Sequence, residues 1–180
     1  MRADARAVLS SWDHPDPGQR VLRDGYIAFI DAHDDAVWRS CVDGHITASA
    51  LVMNASRTRV LLTLHPKVGR FIQLGGHCEP SDTSLREAAR REVREESGID
   101  DVHLSRAPIR LDRHGVPCGG RPSEHLDVQY LAIVPDDAIA VMSAESDDLQ
   151  WFELGDSTRA WDPVVRALIG DAERAIPLHG

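Results

Sequence analysis

Two hydrophobic rhythms alternate along the chain. From His45 to Met53, and again from Val60 to His65, apolar and β-branched residues crowd together with almost no charge, which predicts strands; the second run is continuous enough for a buried position. Asn54-Ala55-Ser56-Arg57 supplies the turn between them, and a turn at Pro66-Lys67-Val68-Gly69 leads to a short strand over Phe71 to Leu74. Further strands are expected around Val102 to Leu104, over His125 to Val134 and over Leu149 to Leu154. Helical spacing governs the remainder. Ala3 to Trp12 forms one short helix, and Val21, Leu22, Ile27, Phe29 and Ile30 mark a less regular one running towards Trp38, with the breaker cluster Asp13 to Gly18 between them. Asp162-Pro163 opens a closing helix through Val164, Val165, Leu168 and Ile169, after which Ala172 to Gly180 reads as a frayed tail. Arg113 to Ser123, rich in Gly and Pro, reads as a binding loop or flexible edge.

The remaining helix carries the chemistry. Gly75-Gly76-His77-Cys78-Glu79-Pro80 reads as a glycine-hinged loop; the helix then opens near Asp82, Thr83 or Ser84, with Glu87 placed as in a capping box, and closes at Gly98. On a helical wheel Leu85, Ala88, Ala89, Glu92, Glu95 and Glu96 gather on one face, whereas Arg86, Arg90 and Arg94 point away. Three carboxylates one turn apart repel one another, and placing them beside an apolar stripe adds a desolvation cost. A hard divalent cation removes that conflict, Mg²⁺ above all, because it takes carboxylate oxygens and keeps waters that a phosphate can displace. Arg91 stands one turn before Glu95 and is placed to pair with it.

The order Arg91-Glu92-Val93-Arg94-Glu95-Glu96-Ser97-Gly98-Ile99 resembles the second half of the signature box of the Nudix hydrolases, and Gly76 resembles its opening glycine. The family places a glutamate six residues after that glycine and eight before the arginine. Here Asp82 holds the sixth position but lies nine residues before Arg91, so this interval is one residue longer and Asp82 is taken as a structural stand-in. The resemblance implies an α/β (α+β) fold, a Nudix-type α/β/α sandwich with a mixed β-sheet, over residues 44–180, with residues 1–43 as an N-terminal helical extension packed on the core. It further implies metal-dependent hydrolysis of a phosphoanhydride in a nucleoside diphosphate linked to another moiety, or in a related nucleotide, with Mn²⁺ as a substitute for Mg²⁺. Glu92 and Glu96 are then the main metal ligands, Glu95 a further ligand or the base, Arg91 its orienter, and the Gly76 carbonyl an extra ligand. Glu145, chosen over Asp147 and Asp148 in the acidic loop before the Trp151 strand, is the alternative base. His77, Arg113 and His125 are candidates for contact with substrate. Two other readings remain: a nucleotide-sensing module that has the fold without the activity, and an isoprenyl-diphosphate isomerase using Cys78.

Composition narrows the setting. At 180 residues and 42% hydrophobic the chain builds one sizeable core, and its formal charge of −9 argues against a nucleic-acid partner while leaving a nucleotide substrate open. Cys41, Cys78 and Cys118 form no metal-binding pair, as in a reducing compartment. No apolar run approaches the roughly 18 residues of a membrane span, and the first residues lack the apolar core of a secretory leader. A cytoplasmic protein is expected, a monomer or homodimer acting on a small nucleotide or diphosphate.

Overall fold

The computed structural model describes residues 1–66, 69–118, 120–143, 147–156 and 158–175. Its centre is β1 (His45–Asn54), buried at every position. β1 runs parallel to β7 (Arg121–Val134) in full register, from His45 opposite His125 to Asn54 opposite Val134. Along its other edge two partners follow one another. β4 (Leu74–His77) pairs antiparallel with residues 47–50, and β2 (Arg59–His65) pairs with Val52 and Met53. β1 and β2 therefore diverge, and the chain bridges the gap by pairing β3 (Arg70–Ile72) with β2 before β4 crosses to β1. β5 (His103–Leu104) and β6 (Arg110–Cys118) share the outer edge of β7, and β8 (Asp148–Glu153) lines β2.

Both faces of this mixed sheet are covered. Alternate residues of β1, Ile46, Ala48, Ala50 and Val52, pack with α1 (Arg2–Ser11), α2 (Pro17–Ala32) and α3 (Leu85–Ser97). The intervening Leu51 and Met53 pack with Val165, Leu168, Ile169 and Ala172 of α4 (Pro163–Ala175). This is the expected α/β/α sandwich, and period-two alternation on strands covered on both sides explains the apolar runs.

The local signals hold at α3: the Ser84 side chain accepts from the Glu87 amide, and Gly98 ends the helix in the left-handed conformation at φ 67°. Other elements differ from expectation. The second helix starts at Pro17 and stops at Ala32, because Asp16 caps it by accepting from the Gly18 amide and Pro17 fits the first turn; the breaker cluster is thus partly a helix start. Residues 113–118 and 121–123 are strand, forming the far end of a long hairpin whose prolines, Pro117 and Pro122, stand opposite each other near its tip. Ala172 is buried and α4 continues to Ala175, so residues 172–175 are helix rather than the expected tail.

The N-terminal helices are bonded to the sheet. Gln19 accepts from the Leu111 amide (2.7 Å) and donates to the Leu111 carbonyl (3.0 Å), Tyr26 donates to the Asp112 carbonyl (2.7 Å), and Trp12 donates to the Pro108 carbonyl (2.6 Å). Asp4 accepts from the Leu85 amide at the start of α3 (2.8 Å). Buried Asp171 of α4 ties the remaining pieces together, meeting His14 at 3.0 Å, Arg110 at 2.7 Å, and Arg174. No helix among the described residues is long and apolar enough to cross a membrane.

Candidate functional site

The site begins where β4 lies on β1. Gly75 stands opposite Ser49, and a β-carbon there would fall 2.2 Å from Ser49 Cβ and 2.7 Å from the Ala48 carbonyl oxygen; its φ is +156°. Only glycine lets the two backbones approach this closely. The Gly75-Gly76-His77 segment is therefore strand rather than the expected open loop. One residue on, a β-carbon at Gly76 would fall 2.8 Å from Glu92 Oε1. The β4 backbone thus abuts a carboxylate of α3.

Arg91 organises the acids around it. Nε and Nη2 donate to the two oxygens of Asp82 at 3.0 Å each, Nη2 also donates to the His77 carbonyl at 2.8 Å, and Nη1 donates to Glu92 at 3.0 Å and Glu95 at 2.8 Å. That set uses the donors of the guanidinium in full. Burial works against the charge of Arg91, but its hydrogen bonds to Asp82 and Glu95 and the charges of Glu92 and Asp82 outweigh it and raise the pKa above the ordinary arginine value. Asp82 also accepts from the Glu79 amide at 2.8 Å and so folds the turn that precedes α3.

The three box glutamates do not share one inward stripe. Leu85, Ala88, Ala89, Val93 and Ser97 are the buried positions of α3. Glu92 lies at the edge of that stripe with its side chain 12% exposed, Glu96 is half-buried, and Glu95 is turned out at 58% exposure. The apolar stripe centres on Ala89 and Val93, which rotates Glu95 towards water and leaves Glu92 beside β4, one turn before half-buried Glu96.

Among the other candidates, His77 and His125 come together, with ring centroids 5.1 Å apart, whereas Arg113 is engaged by Glu124 across the hairpin at 3.0 Å. Glu145 lies outside the described residues. Asp147 donates its amide to the Leu64 carbonyl, and Asp148 opens β8 by accepting from the Leu149 amide at 2.8 Å. Cys78 donates to the Ile46 carbonyl at 3.8 Å; burial first, and Asp82 second, push its thiol up to about 12, so it stays protonated at neutral pH.

A polar floor on the α4 side of the sheet was not singled out from sequence. Asp127, fully buried, accepts from Thr47 (3.0 Å), Ser49 (2.6 Å), Gln73 (3.2 Å) and Gln129 (3.1 Å). Burial raises its pKa despite the hydroxyl and amide donors. The signal was present as a period of two: His45, Thr47 and Ser49 in one strand and His125, Asp127 and Gln129 in the other put polar groups on one face of otherwise apolar segments.

Residues 44–168 match the NUDIX domain family. A comparison with curated protein sequences finds no match. Similar solved structures include a NUDIX-family hydrolase from Clostridium perfringens, 22% identical, with TM-score 0.60, covering 75% of this chain and 100% of that one. The NUDIX domain of Shewanella oneidensis NrtR, complexed with ADP ribose, is 19% identical with TM-score 0.56, covering 82% of this chain and 96% of its own. A C. elegans Ap4A hydrolase is 19% identical with TM-score 0.54, covering 72% and 95%.

Proposed function

Since the chain belongs to the NUDIX domain family, we propose that it is a divalent-metal-dependent hydrolase that cleaves a phosphoanhydride bond in a nucleoside diphosphate linked to another moiety, or in a related nucleotide. The observation that carries this reading is the contact of Gly76 with the Glu92 carboxylate, beside an arginine bonded to Asp82, Glu92 and Glu95 at once. Folding alone gives little reason to gather three acids around one guanidinium and a glycine backbone. The donor set is all hard oxygen, from Glu92, Glu95, Glu96 and the Gly76 carbonyl, and it suits Mg²⁺ or Mn²⁺ rather than a softer ion. When bound, such an ion screens the diphosphate and acidifies a coordinated water.

The residues of the chain then divide the work. Glu92 and Glu96 would hold the metal; Arg91 fixes the rotamers of Glu92 and Glu95 through its bonds to Asp82 and the His77 carbonyl. Glu95, exposed yet tethered, is placed to bind further metal or to take the proton of the attacking water, a role for which Glu145 is the alternative. Residues 44–180 form the hydrolase domain and residues 1–43 its extension, in a cytoplasmic monomer or homodimer with no nucleic-acid partner. The substrate class is supported by the NrtR domain complexed with ADP ribose and by the Ap4A hydrolase among the similar structures. The protonated, buried Cys78 argues against the isomerase reading.

Phosphate release, coupled to a phosphatase, tests the proposal on a panel of nucleoside triphosphates, nucleotide sugars, ADP-ribose, NADH and dinucleoside polyphosphates with Mg²⁺ or Mn²⁺. Glu96→Gln is expected to lose on the order of 100-fold or more of the turnover while keeping its fold. A variant with full turnover refutes the assignment.

A further inference from the structure

Away from the acidic face of α3, three histidines meet on the opposite face of the sheet. His77, His45 and His125 come from the neighbouring strands β4, β1 and β7: His45 stands opposite His125, and His77 stands opposite Thr47, two residues along from His45 on the same face. Their ring centroids lie 4.8 to 5.1 Å apart, and one nitrogen from each can be chosen so that all three lie within 4.8 Å of one another.

His45 is 1% exposed, and neither of its ring nitrogens has a hydrogen-bond partner among the described residues; the Cys41 backbone is near but outside hydrogen-bond geometry. The Nε2 of His125 is likewise buried without one. Leaving such nitrogens unsatisfied costs about 1–3 kcal/mol each, and an apolar side chain would fill the same space without that cost. Burial, and then the neighbouring imidazoles, push His125 down to about 3, and burial also lowers His45. The row continues to His114, 5.6 Å from His125, which is bonded to Asp112 at 2.7 Å.

We propose that His45, His77 and His125 form a three-nitrogen site for a borderline divalent transition metal, Zn²⁺ foremost, separate from the carboxylates of α3. Imidazole nitrogen favours Zn²⁺, Co²⁺ and Ni²⁺, whereas Mg²⁺ favours oxygen. Tetrahedral zinc, with bonds of about 2.0–2.1 Å to nitrogen, holds its ligand nitrogens roughly 3.3 Å apart, so small rotations of the three rings close the site. The fourth position is left to water, to a phosphate oxygen or to His114, whose Nδ1 bond to Asp112 would serve as its outer hydrogen bond. Because the His77 carbonyl accepts from Arg91 and Gly76 abuts Glu92, an ion on the His77 ring also fixes the strand that positions the acidic site. This assignment replaces the substrate contacts expected of His77 and His125 from sequence.

The test is titration of tag-free, chelator-treated full-length protein with Co²⁺ and Zn²⁺, read by the visible Co²⁺ bands, by calorimetry and by thermal melting. One equivalent of four-coordinate Co²⁺, displaced by Zn²⁺ but not by excess Mg²⁺, is the expected result. Glu96→Gln binds it as wild type does, while His77→Gln and His125→Gln, with folding checked by circular dichroism, each bind at least about 100-fold more weakly and lose the metal-dependent rise in Tm. Should either histidine variant fail to fold, the other and the wild-type spectrum still decide. With excess Mg²⁺ present to fill the acidic site, absence of binding, the spectrum of oxygen-ligated Co²⁺ alone, or affinity lost in Glu96→Gln and kept in the histidine variants overturns the proposal. None of these outcomes depends on the hydrolase activity.

Discussion

Adjacent glycines in β4 are predicted to fail in different ways when each is changed to alanine. At position 75 the added carbon would sit 2.2 Å from Ser49 Cβ and 2.5 Å from Ser49 Cα, whereas ordinary contact begins at 3.4 Å, so β4 must move away from β1 by more than the ladder tolerates. Two or so strand bonds at about 1 kcal/mol each, together with about 1–3 kcal/mol of backbone strain at φ +156°, give a loss of roughly 3–5 kcal/mol. Against a typical total of 5–15 kcal/mol, that lowers Tm by about 6–20 °C for a chain of this size. At position 76 the obstacle is the end of a side chain, Glu92 Oε1 at 2.8 Å, which can swing aside. Gly76→Ala should therefore cost only about 1 kcal/mol of stability yet lose roughly 10- to 100-fold in turnover, because the carboxylate is displaced. Urea unfolding followed by circular dichroism, alongside the phosphate-release assay, separates the two effects. If Gly75→Ala is as stable as wild type, or if Gly76→Ala keeps full turnover, the account of how β4 meets its neighbours is wrong.

Asp82→Asn weakens the bidentate hold on Arg91 and the turn before α3; it should lower turnover about tenfold and stability by roughly 1–3 kcal/mol, measured by the same two assays. Asp171→Asn leaves Arg110 without its buried counter-charge and should cost about 3 kcal/mol in urea unfolding, with little effect on KM. Removal of the cap in Ser84→Ala should cost about 1 kcal/mol, a shift that thermal melting resolves; no shift would mean that Asp4 alone suffices at that helix end.

Sequence made the frame of the molecule legible where one local rule dominated. Ser84, Glu87 and Gly98 marked the ends of α3 because caps are satisfied within a few residues, and β1 and β2 stood out because burial on both faces leaves no room for charge. The hairpin of β6 and β7 was hidden: its exposed Arg113, His114 and Gly115 carry no strand periodicity, and its pairing is decided by partners on the opposite strand. Gly75 and Gly76 were visible as glycines but not as a strand, since the reason for both lies in Ser49 and Glu92, remote in sequence. Within the site, the pairing of Arg91 with Glu95 follows from helical spacing, whereas the outward turn of Glu95 depends on which side of α3 meets the sheet. The histidine row and the Asp127 floor depend on the register of β4, β1 and β7, which no single segment reveals.

The Gln19 amide has a role beyond fastening the N-terminal helices. β6 pairs with β7 along one edge only, and at Leu111 the other edge finds both of its hydrogen bonds in the Gln19 side chain, with Tyr26 taking the next carbonyl. A chain starting at Gly44 would match the family as well as the whole does, yet it would present that strand uncovered as a template for a second molecule to extend. Gln19 and Tyr26 thus close that edge, and trimming the protein to residues 44–180 is expected to expose it, with aggregation on light scattering as the readout.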